Sequence, residues 1–352
     1  MSVDTLLIRA DASVATGTGH VMRCLALAQA WQDVGGRAAF AMAEVTSALR
    51  TRLAWESCEV FSISSPVGSA EDASQTIARA SELHCEWIVV DGYHFSASYQ
   101  QALKAAGFKI VFLDDYGHAQ HYSAQLVVNQ NVYASETLYA NRDPHSLLLL
   151  GPRYCLLRRE FLAWRDWKRE VPPVGRRLLV TMGGSDPENL TARAMDALAL
   201  VEIEDLEAIV VVGGSSPHSE LQEGKAQGRK KISVCRDVSN MAELMAWADA
   251  AVSSAGTTVL ELAFMGVPTI LVTVADNQRA NAGACEKLEL ALNLGDFSDV
   301  SPTQLAAELE ALITDPERQM RMTCIARALV DGRGAERVAA RLIAESRRDW
   351  NG

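Results

Sequence analysis

The chain has 352 residues, a length that favours two domains over one. Apolar residues make up 49% of it and charged residues 22%, a balance that excludes disordered, collagen-like and mucin-like proteins. The formal net charge of −11 argues against a protein whose main partner is nucleic acid or an anionic membrane surface. The 7 cysteines are scattered, with no Cys-x-x-Cys pair, and this pattern indicates reduced thiols.

The N-terminal residues and the apolar runs bear on localisation. Asp4, Arg9 and Asp11 lie where a secretory signal peptide requires an unbroken apolar core. No apolar run approaches the roughly 20 residues that a membrane-spanning helix requires. We therefore expect a cytoplasmic protein with no membrane span and no nucleic-acid partner, and we take a monomer as the default.

Short apolar or β-branched runs alternate with helical patterns along almost the whole chain. In the first half, the predicted strands are Thr5–Ala10, Ala38–Met42, Val60–Ser64, Trp87–Asp91, Lys109–Asp114 and Gln125–Asn129. In the second half, they are Arg177–Met182, Ala208–Val212, Lys231–Cys235, Ala250–Ser253 and Thr269–Val274. Such alternation predicts an α/β fold with parallel sheets and helices on both faces of each sheet.

The pattern restarts in the middle of the chain, where Gly151-Pro152 and Pro172-Pro173 flank a stretch rich in Trp and Arg. We therefore predict two doubly wound, Rossmann-like domains that face each other across a cleft, followed by a last helix that can pack on either domain. The predicted bounds are 1–150, 151–335 and 336–352. In open parallel sheets, ligands bind beyond the carboxyl ends of the strands, so function is expected in the loops that follow strands.

The loop after the first strand contains Gly17 and Gly19 and leads into a helix that begins near His20. Glycines let the backbone approach a ligand closely, and a helix N-terminus presents free N–H groups and the positive end of a dipole. That dipole disfavours an imidazolium, so a neutral His20 can serve as a general base, and Asp11 can share this role. Arg23 lies one turn further on the same face. The alternative is that the glycines only form a tight turn and His20 is a polar cap.

Polar residues also follow the strands 87–91 and 109–114. Asp91 ends the first of these strands, Tyr93 comes two residues later, and Asp115 follows the second. Polar side chains that gather where strands stop suit a substrate pocket, and Asp91 is a further candidate to share the role of base.

Four residues of this region can also be read as metal ligands: Asp114, Asp115, His118 and His121. Their spacing matches no standard zinc or two-metal pattern. We therefore expect a solvated, Asp-rich turn and no metal.

In the second half, Gly183-Gly184-Ser185 follow a predicted strand, with Asp186-Pro187 after them. Two interpretations are equally open for this loop. It can face a phosphate, because two glycines precede a helix N-terminus. Alternatively, Asp186 simply caps a helix that starts near Pro187.

A stronger pattern is the small-residue turn Ser254-Ala255-Gly256-Thr257-Thr258 between a strand and a helix. Its backbone amides and hydroxyl groups can hold a diphosphate without a metal. Glu261, one turn into the helix, can bind a ribose diol, although Thr258-x-x-Glu261 also fits a capping box. After the next strand, the amides of Gln278 and Asn281 can order a sugar.

Taken in order, the second half contains Asp237-Val238-Ser239-Asn240-Met241, Ala248-Asp249, Ser254-Ala255-Gly256-Thr257-Thr258, Glu261, Gly266-Val267-Pro268, Asn277-Gln278 and Asn281-Ala282. This series resembles the nucleotide-binding half of GT-B enzymes, above all the N-acetylglucosaminyltransferases that make lipid II. Further motifs are Arg9-Ala10-Asp11, Gly17-Thr18-Gly19-His20-Val21-Met22-Arg23, Asp91-Gly92-Tyr93, Leu113-Asp114-Asp115, Gly151-Pro152-Arg153-Tyr154 with Leu157-Arg158 and Phe161, and Met182-Gly183-Gly184-Ser185-Asp186-Pro187. This second set departs from the transferases and is similar to the UDP-sugar hydrolases of pseudaminic acid biosynthesis.

The resemblance implies a GT-B fold and an enzyme that needs no metal or other cofactor. The implied reaction is hydrolysis of a UDP-linked 2,4-diacetamido-2,4,6-trideoxyhexose to the free sugar and UDP, with inversion at the anomeric carbon. On the first domain, the resemblance makes His20 the candidate base for the attacking water and places Tyr93 in the sugar pocket. On the second domain, it implies contacts of the backbone near Val238 with uracil, of Glu261 with ribose, of Ser254 to Thr258 with the diphosphate, and of Gln278 and Asn281 with a phosphate or the sugar.

Three other functions stay open for this sequence. A GT-B glycosyltransferase would move the sugar from a UDP-N-acetylhexosamine donor to an acceptor. A nucleotide-sugar sensor would bind without chemistry, and an epimerase would return an isomer of the nucleotide sugar. The residues also leave open whether His20 removes a proton or hydrogen-bonds a developing charge.

Overall fold

The computed structural model describes residues 4–13, 17–184, 186, 188–213, 232–236 and 238–348. These residues form two compact α/β units. The described residues of the first unit are 4–13, 20–159 and 332–348, and the remainder belong to the second unit. Residues 151–159, predicted as part of the second domain, and the last helix, which was free to pack on either domain, therefore both lie in the first unit.

The first unit is built on a seven-stranded parallel sheet with the order β3-β2-β1-β4-β5-β6-β7. Its strands are β1 (Thr5–Ala10), β2 (Arg37–Met42), β3 (Glu59–Ser62), β4 (Trp87–Asp91), β5 (Lys109–Leu113), β6 (Leu126–Asn129) and β7 (Leu147–Leu150). The helices up to the unit boundary are α1 (Gly19–Asp33), α2 (Ser47–Trp55), α3 (Ala70–Glu82), α4 (Ala97–Ala105) and α5 (Arg159–Leu162).

The second unit is built on a six-stranded parallel sheet with the order β10-β9-β8-β11-β12-β13. Its strands are β8 (Arg177–Thr181), β9 (Glu207–Val212), β10 (Ile232–Arg236), β11 (Ala250–Ser254), β12 (Thr269–Thr273) and β13 (Leu292–Asp296). Its helices are α6 (Leu190–Leu198), α7 (Met241–Trp247), α8 (Thr258–Phe264), α9 (Arg279–Lys287), α10 (Pro302–Ile313) and α11 (Pro316–Leu329), and α12 (Gly334–Arg348) returns to the first unit.

Central strands such as β4 and β12 are buried and largely apolar runs because helices cover both faces of each sheet. In β1, Leu6 and Ile8 contribute to one buried cluster, while Leu7 contributes to the cluster on the opposite face. This alternation follows from the two-residue period of a strand. In the described part of the chain, no helix is both long and apolar enough to cross a membrane.

A charged network lies inside the first unit, beside β1. Arg9 is 0% exposed and donates two hydrogen bonds to Asp72, at 2.9 Å from Nε and 2.8 Å from Nη2. Its Nη1 donates to Asp11 at 2.6 Å, and the hydroxyl of Tyr99 donates to Asp72 at 2.9 Å. Burial raises the pKa of Asp72, but the bonded Arg9 guanidinium outweighs burial and lowers it overall. Asp72 is therefore ionised and paired with the buried Arg9.

Replacing Asp72 with alanine should lower the free energy of unfolding by about 3–5 kcal/mol at pH 7, because Arg9 then stays buried without its bidentate partner. Urea denaturation measures the change. The same substitution at Asp143, whose half-exposed carboxylate pairs with Lys104, should cost less than about 1 kcal/mol. Equal losses at the two positions would contradict this account.

The same experiment has a defined pH dependence. Because the pKa of Asp72 is lower in the folded chain than in the unfolded one, its contribution is complete above the unfolded value of about 3.9. It is lost as the pH falls below that value toward the folded pKa. The difference between wild type and Asp72→Ala should therefore shrink below about pH 4.

Candidate functional site

The first unit has a topological switch point, where neighbouring strands lead their connections in opposite directions. The strand order reverses between β1 and β4, so the loops that follow these two strands separate at the carboxyl edge of the sheet. Helix α1 follows β1, Asp91 ends β4, and Asp115 follows β5, the neighbour of β4. The polar residues predicted from strand ends therefore gather at one edge.

His20 and Asp91 form the centre of this gathering. His20 is the second residue of α1, as predicted, and its Nδ1 lies 2.6 Å from Oδ1 of Asp91. Asp91 is 1% exposed, and the four residues before it in β4 are buried and apolar. The strand thus carries a carboxylate to the imidazole from a rigid base.

Arg23 keeps this carboxylate charged. Its Nε and Nη2 each donate to one Asp91 oxygen at 2.7 Å, and Cys24 Sγ donates to Oδ2 at 3.3 Å. Burial raises the pKa of Asp91, but Arg23, and then His20, outweigh burial and hold it well below its ordinary value. An ionised carboxylate accepts only, so we assign the proton on the imidazole to Nδ1 of His20. Its Nε2 then carries the lone pair that a general base needs.

Asp115 lies on the other side of Arg23. Its Oδ1 accepts hydrogen bonds from Arg23 Nη1 at 2.6 Å and from Asn131 Nδ2 at 2.9 Å, and its Oδ2 accepts one from the Tyr93 hydroxyl at 2.7 Å. Burial raises the pKa of Asp115, but Arg23 outweighs it and lowers the pKa overall. Arg23 therefore joins two buried, ionised carboxylates.

Tyr93 packs against His20 edge-on, with ring centroids 4.9 Å apart and an interplanar angle of 83°. Its ring also packs against Tyr116, at 5.1 Å, and His118, at 5.8 Å. Burial first, and the Asp115 carboxylate second, raise the pKa of Tyr93. The phenol therefore keeps its proton near neutral pH, so Tyr93 can orient His20 or donate a hydrogen bond but is no candidate for the base.

Asp114 and Asp115 are buried, which corrects the expectation of a solvated turn for these two, whereas His118 and His121 are partly exposed. Asp114 accepts the backbone N–H groups of Asp115 and Gly117, the Tyr122 hydroxyl at 2.5 Å, and lies 2.9 Å from Nδ1 of His118. The Asp114 carboxylate therefore stabilises the turn through these contacts. Within the described ranges, no three His, Cys, Asp or Glu side chains form a group that could hold a metal ion. Independence from metals stays a prediction.

Asp11, predicted to share the role of base, has its carboxylate directed elsewhere. One oxygen accepts from Arg9, and the other accepts from the backbone N–H groups of Ala43 at 2.6 Å and Glu44 at 3.1 Å. These contacts join the end of β1 to the segment after β2. The structure therefore places Asp11 in the Arg9 network, and Asp91 is the carboxylate that it brings to His20.

The second unit has the same kind of switch point, between β8 and β11. The predicted turn lies at this edge: Ser254 ends β11, and α8 begins at Thr258. Asn281, which is 2% exposed, donates from Nδ2 to the Ala255 carbonyl at 3.2 Å. Gln278 accepts from the backbone N–H of Val274 at 3.1 Å. Asn281 thus ties α9 to the small-residue turn.

The capping-box interpretation of Thr258 and Glu261 does not fit the helix start. The N-cap residue of α8 is Thr257, whose side chain makes no capping hydrogen bond, and Thr258 is already inside the helix. Glu261 lies within the helix, Gly256 precedes the N-cap, and Val238 is half-buried before α7. A role of Glu261 in binding ribose stays a prediction.

At the loop after β8, the Asp186 side chain does cap α6, although the N-cap residue is Asn189 and not Asp186. The Asp186 carboxylate accepts the N–H groups of Leu190 at 2.7 Å and Thr191 at 3.0 Å, and α6 begins at Leu190, later than predicted. Gly183 has a φ of +96°, and Gly184 packs so tightly that a Cβ on Gly213 would lie 2.2 Å from its carbonyl oxygen. Ser185 lies outside the described residues. Of the earlier glycines, Gly17 is buried with a φ of +70° and Gly19 starts α1.

Two residues of the His20 cluster were missed from the sequence. Cys24 follows His20 by four residues, a helical spacing that could have placed both on one face. Asn131 comes two residues after the end of β6, so the rule that parallel strands end at one edge could have found it.

Two parallel-sheet α/β units, each with a switch point, define a GT-B fold, and the chain is similar to glycosyltransferase-like enzymes. The family model of the glycosyltransferase family 28 C-terminal domain matches residues 177–338. The crystal structure of Acinetobacter baumannii MurG has a TM-score of 0.62 at 17% identity, covering 96% of this chain and 98% of that one. This likeness shows the fold and not the reaction.

Two curated relatives have names that describe a more specific process or reaction. The spore coat polysaccharide biosynthesis protein SpsG of Bacillus subtilis is 30% identical over 194 residues, which are 54% of this chain and 56% of that protein. The UDP-2,4-diacetamido-2,4,6-trideoxy-beta-L-altropyranose hydrolase of Campylobacter jejuni is 25% identical over 279 residues, 79% of this chain and 94% of that protein. The match thus spans little more than half of SpsG. The relatives of the chain thus include nucleotide-sugar enzymes.

Proposed function

We propose that this protein hydrolyses a UDP-linked 2,4-diacetamido-2,4,6-trideoxyhexose to UDP and the free sugar. The observation that carries the proposal is the 2.6 Å contact between His20 Nδ1 and an Asp91 carboxylate that Arg23 keeps ionised. In this pair the Asp91 carboxylate fixes the imidazole proton on Nδ1 and leaves Nε2 to accept one, which is the arrangement that activates water. The similarity to a hydrolase over most of its length supports the choice of substrate.

In the proposed reaction, His20 Nε2 removes a proton from a water molecule while the water oxygen bonds to the anomeric carbon. The bond from that carbon to the β-phosphate oxygen breaks, and its electron pair leaves with UDP. Asp91 stabilises the imidazolium that forms. Attack opposite to the leaving group inverts the anomeric configuration, and no metal or other cofactor takes part.

The second unit is the proposed site of UDP binding. The turn between Ser254 and Thr258 offers backbone amides to a diphosphate, and its position at the β8–β11 switch point supports this role. UDP is a good leaving group once its charge is met by such donors, so the remaining task is to deprotonate water.

Replacing Asn281 with alanine should raise the Kd for UDP about tenfold, because the Ala255 carbonyl loses a buried donor and the turn loosens. Isothermal titration calorimetry measures the change. Asn293→Ala, in the same unit, removes a long contact to Glu286 and a hydrogen bond from the Gly295 N–H at 3.0 Å, neither of them with the turn, and should leave the Kd within about twofold. A Kd that changes equally in both variants would contradict a role for this turn in UDP binding.

Hydrolysis in H₂¹⁸O tests the proposed function, with UDP-2,4-diacetamido-2,4,6-trideoxy-β-L-altropyranose as substrate. We expect ¹⁸O on the anomeric carbon of the free sugar and none in UDP. Label in a phosphate would mean attack at phosphorus and would refute the mechanism. An isomerised nucleotide sugar without label would indicate an epimerase.

A glycosyltransferase is the second candidate, because the matched family model describes a glycosyltransferase domain. Such an enzyme would take a UDP-N-acetylhexosamine as donor and would release UDP only when an acceptor is present. Turnover by the purified protein without any acceptor separates the two candidates.

A further inference from the structure

The charges around His20 do not balance while its imidazole is neutral. The groups that face it are Asp91 from β4, Tyr93 from the following loop, and Arg23 from α1 itself. Behind them lies Asp115, bonded to Arg23. Two carboxylates and one guanidinium leave an excess of one negative charge, which the imidazolium cancels when His20 accepts a proton.

Asp91 alone cannot supply this excess. Arg23 binds both of its oxygens at 2.7 Å, so the two form a neutral pair. Without Arg23, however, the buried Asp91 would lose the partner that keeps it ionised. A second carboxylate, on the far side of the Arg23 guanidinium, meets both requirements. It restores the negative charge near His20 and leaves the pair of Asp91 and Arg23 intact.

Asp115 has the geometry of this second carboxylate. Its contacts do not favour the substrate contact that was predicted from its place in the sequence. Arg23 and Asn131 occupy Oδ1, and Tyr93 occupies Oδ2. These three protein donors, at 2.6–2.9 Å, take three of the roughly four acceptor sites of the carboxylate and leave a substrate hydroxyl one site, beside Tyr93 on Oδ2. The same bonds fix Arg23 across Asp91 and the Tyr93 ring against His20.

We infer that Asp115 is a positioning residue for proton transfer to His20, holding Arg23 in place and supplying the negative charge that the new imidazolium meets. The inference rests on the proposed function, since it concerns the same base. It adds a residue that touches neither water nor sugar and acts through Arg23.

The test compares wild type with Asp115→Asn, which keeps the shape of the side chain and removes its charge. We expect kcat to fall about tenfold or more while KM stays within about twofold, because the loss concerns the transition state alone. The acidic limb of the kcat/KM profile should move to lower pH, since the imidazolium is less stabilised. If Asp115→Asn does not fold, Asp115→Ser takes its place, because the smaller side chain leaves room for a water against Arg23. We expect the same fall in kcat and the same movement of the acidic limb.

Asp114→Asn is the matched control, because it removes the neighbouring buried carboxylate, whose contacts are with Tyr122, His118 and its own turn. Its acidic limb should coincide with that of wild type. A raised KM with an unchanged kcat in Asp115→Asn would overturn the proposal and restore Asp115 as a substrate ligand. An equal movement of the limb in both variants would also overturn it.

A second readout separates this inference from the proposed function. The imidazole of His20 can be titrated by NMR in the free protein, with its signals assigned by their loss in His20→Ala. We expect its midpoint to lie at lower pH in Asp115→Asn than in wild type. If wild type does not hydrolyse the nucleotide sugar but the midpoint moves, the proposed function fails alone. If hydrolysis proceeds and the midpoint does not move, the inference fails alone.

Discussion

Replacing His20 with alanine is expected to lower kcat for hydrolysis about 1,000-fold, because the water then lacks a general base. The Kd for UDP should stay within about twofold, since the proposed nucleotide contacts belong to the second unit. A stopped assay for UDP, with calorimetry of UDP binding, measures both quantities. Both measurements are needed, because a misfolded variant would lose UDP binding as well as turnover.

His121→Ala is the control for this variant. His121 is another histidine with an aspartate partner, at 2.8 Å from Asp143, but it lies at the surface. Its replacement should leave kcat within about twofold. If His20→Ala kept more than a tenth of the wild-type kcat, His20 would not be the base.

Replacing Asp91 with asparagine is expected to lower kcat about 1,000- to 10,000-fold. The amide is nearly the same size, but it carries no charge to stabilise an imidazolium and does not fix the proton on Nδ1 of His20. Arg23 also loses its bidentate partner, so the free energy of unfolding should fall. Rates must therefore be measured at a temperature where circular dichroism shows the variant to be folded.

Asp72→Asn provides the matched control. Asp72 is likewise a buried carboxylate bound by two nitrogens of one arginine, in the same unit. Its replacement should lower stability while the folded fraction keeps the wild-type kcat. The account of the His20–Asp91 pair would be contradicted if Asp91→Asn retained kcat, or if Asp72→Asn lost it to the same extent.

The strand–helix alternation predicted the fold because strands buried on both faces are continuous apolar runs. Two strands were missed for local reasons. β7 consists of four leucines, a residue that suits helices as well as strands, and it lies at the edge of its sheet. β13 contains Asn293 and Gly295, and its pairing with β12 shifts register, so it shows no regular strand pattern.

The residues of the candidate site that follow strand ends could be predicted from the sequence. His20, Asp91 and Asp115 follow neighbouring strands, so topology brings them together. Their partners depended on side-chain direction, which the sequence does not reveal. Asp114 and Asp115 are adjacent, yet one binds the amides of its own turn and the other binds Arg23. Asp11 likewise follows β1 but turns toward β2, where two free amides and Arg9 attract its carboxylate.

The central claim is that this chain releases UDP by transferring its sugar to water. The most direct measurement is UDP release by wild-type protein from UDP-2,4-diacetamido-2,4,6-trideoxy-β-L-altropyranose, with EDTA present and no acceptor. The account predicts many turnovers, with UDP and free sugar formed in equal amounts. No release, in a protein that binds UDP tightly, would contradict it and favour a transferase that awaits its acceptor.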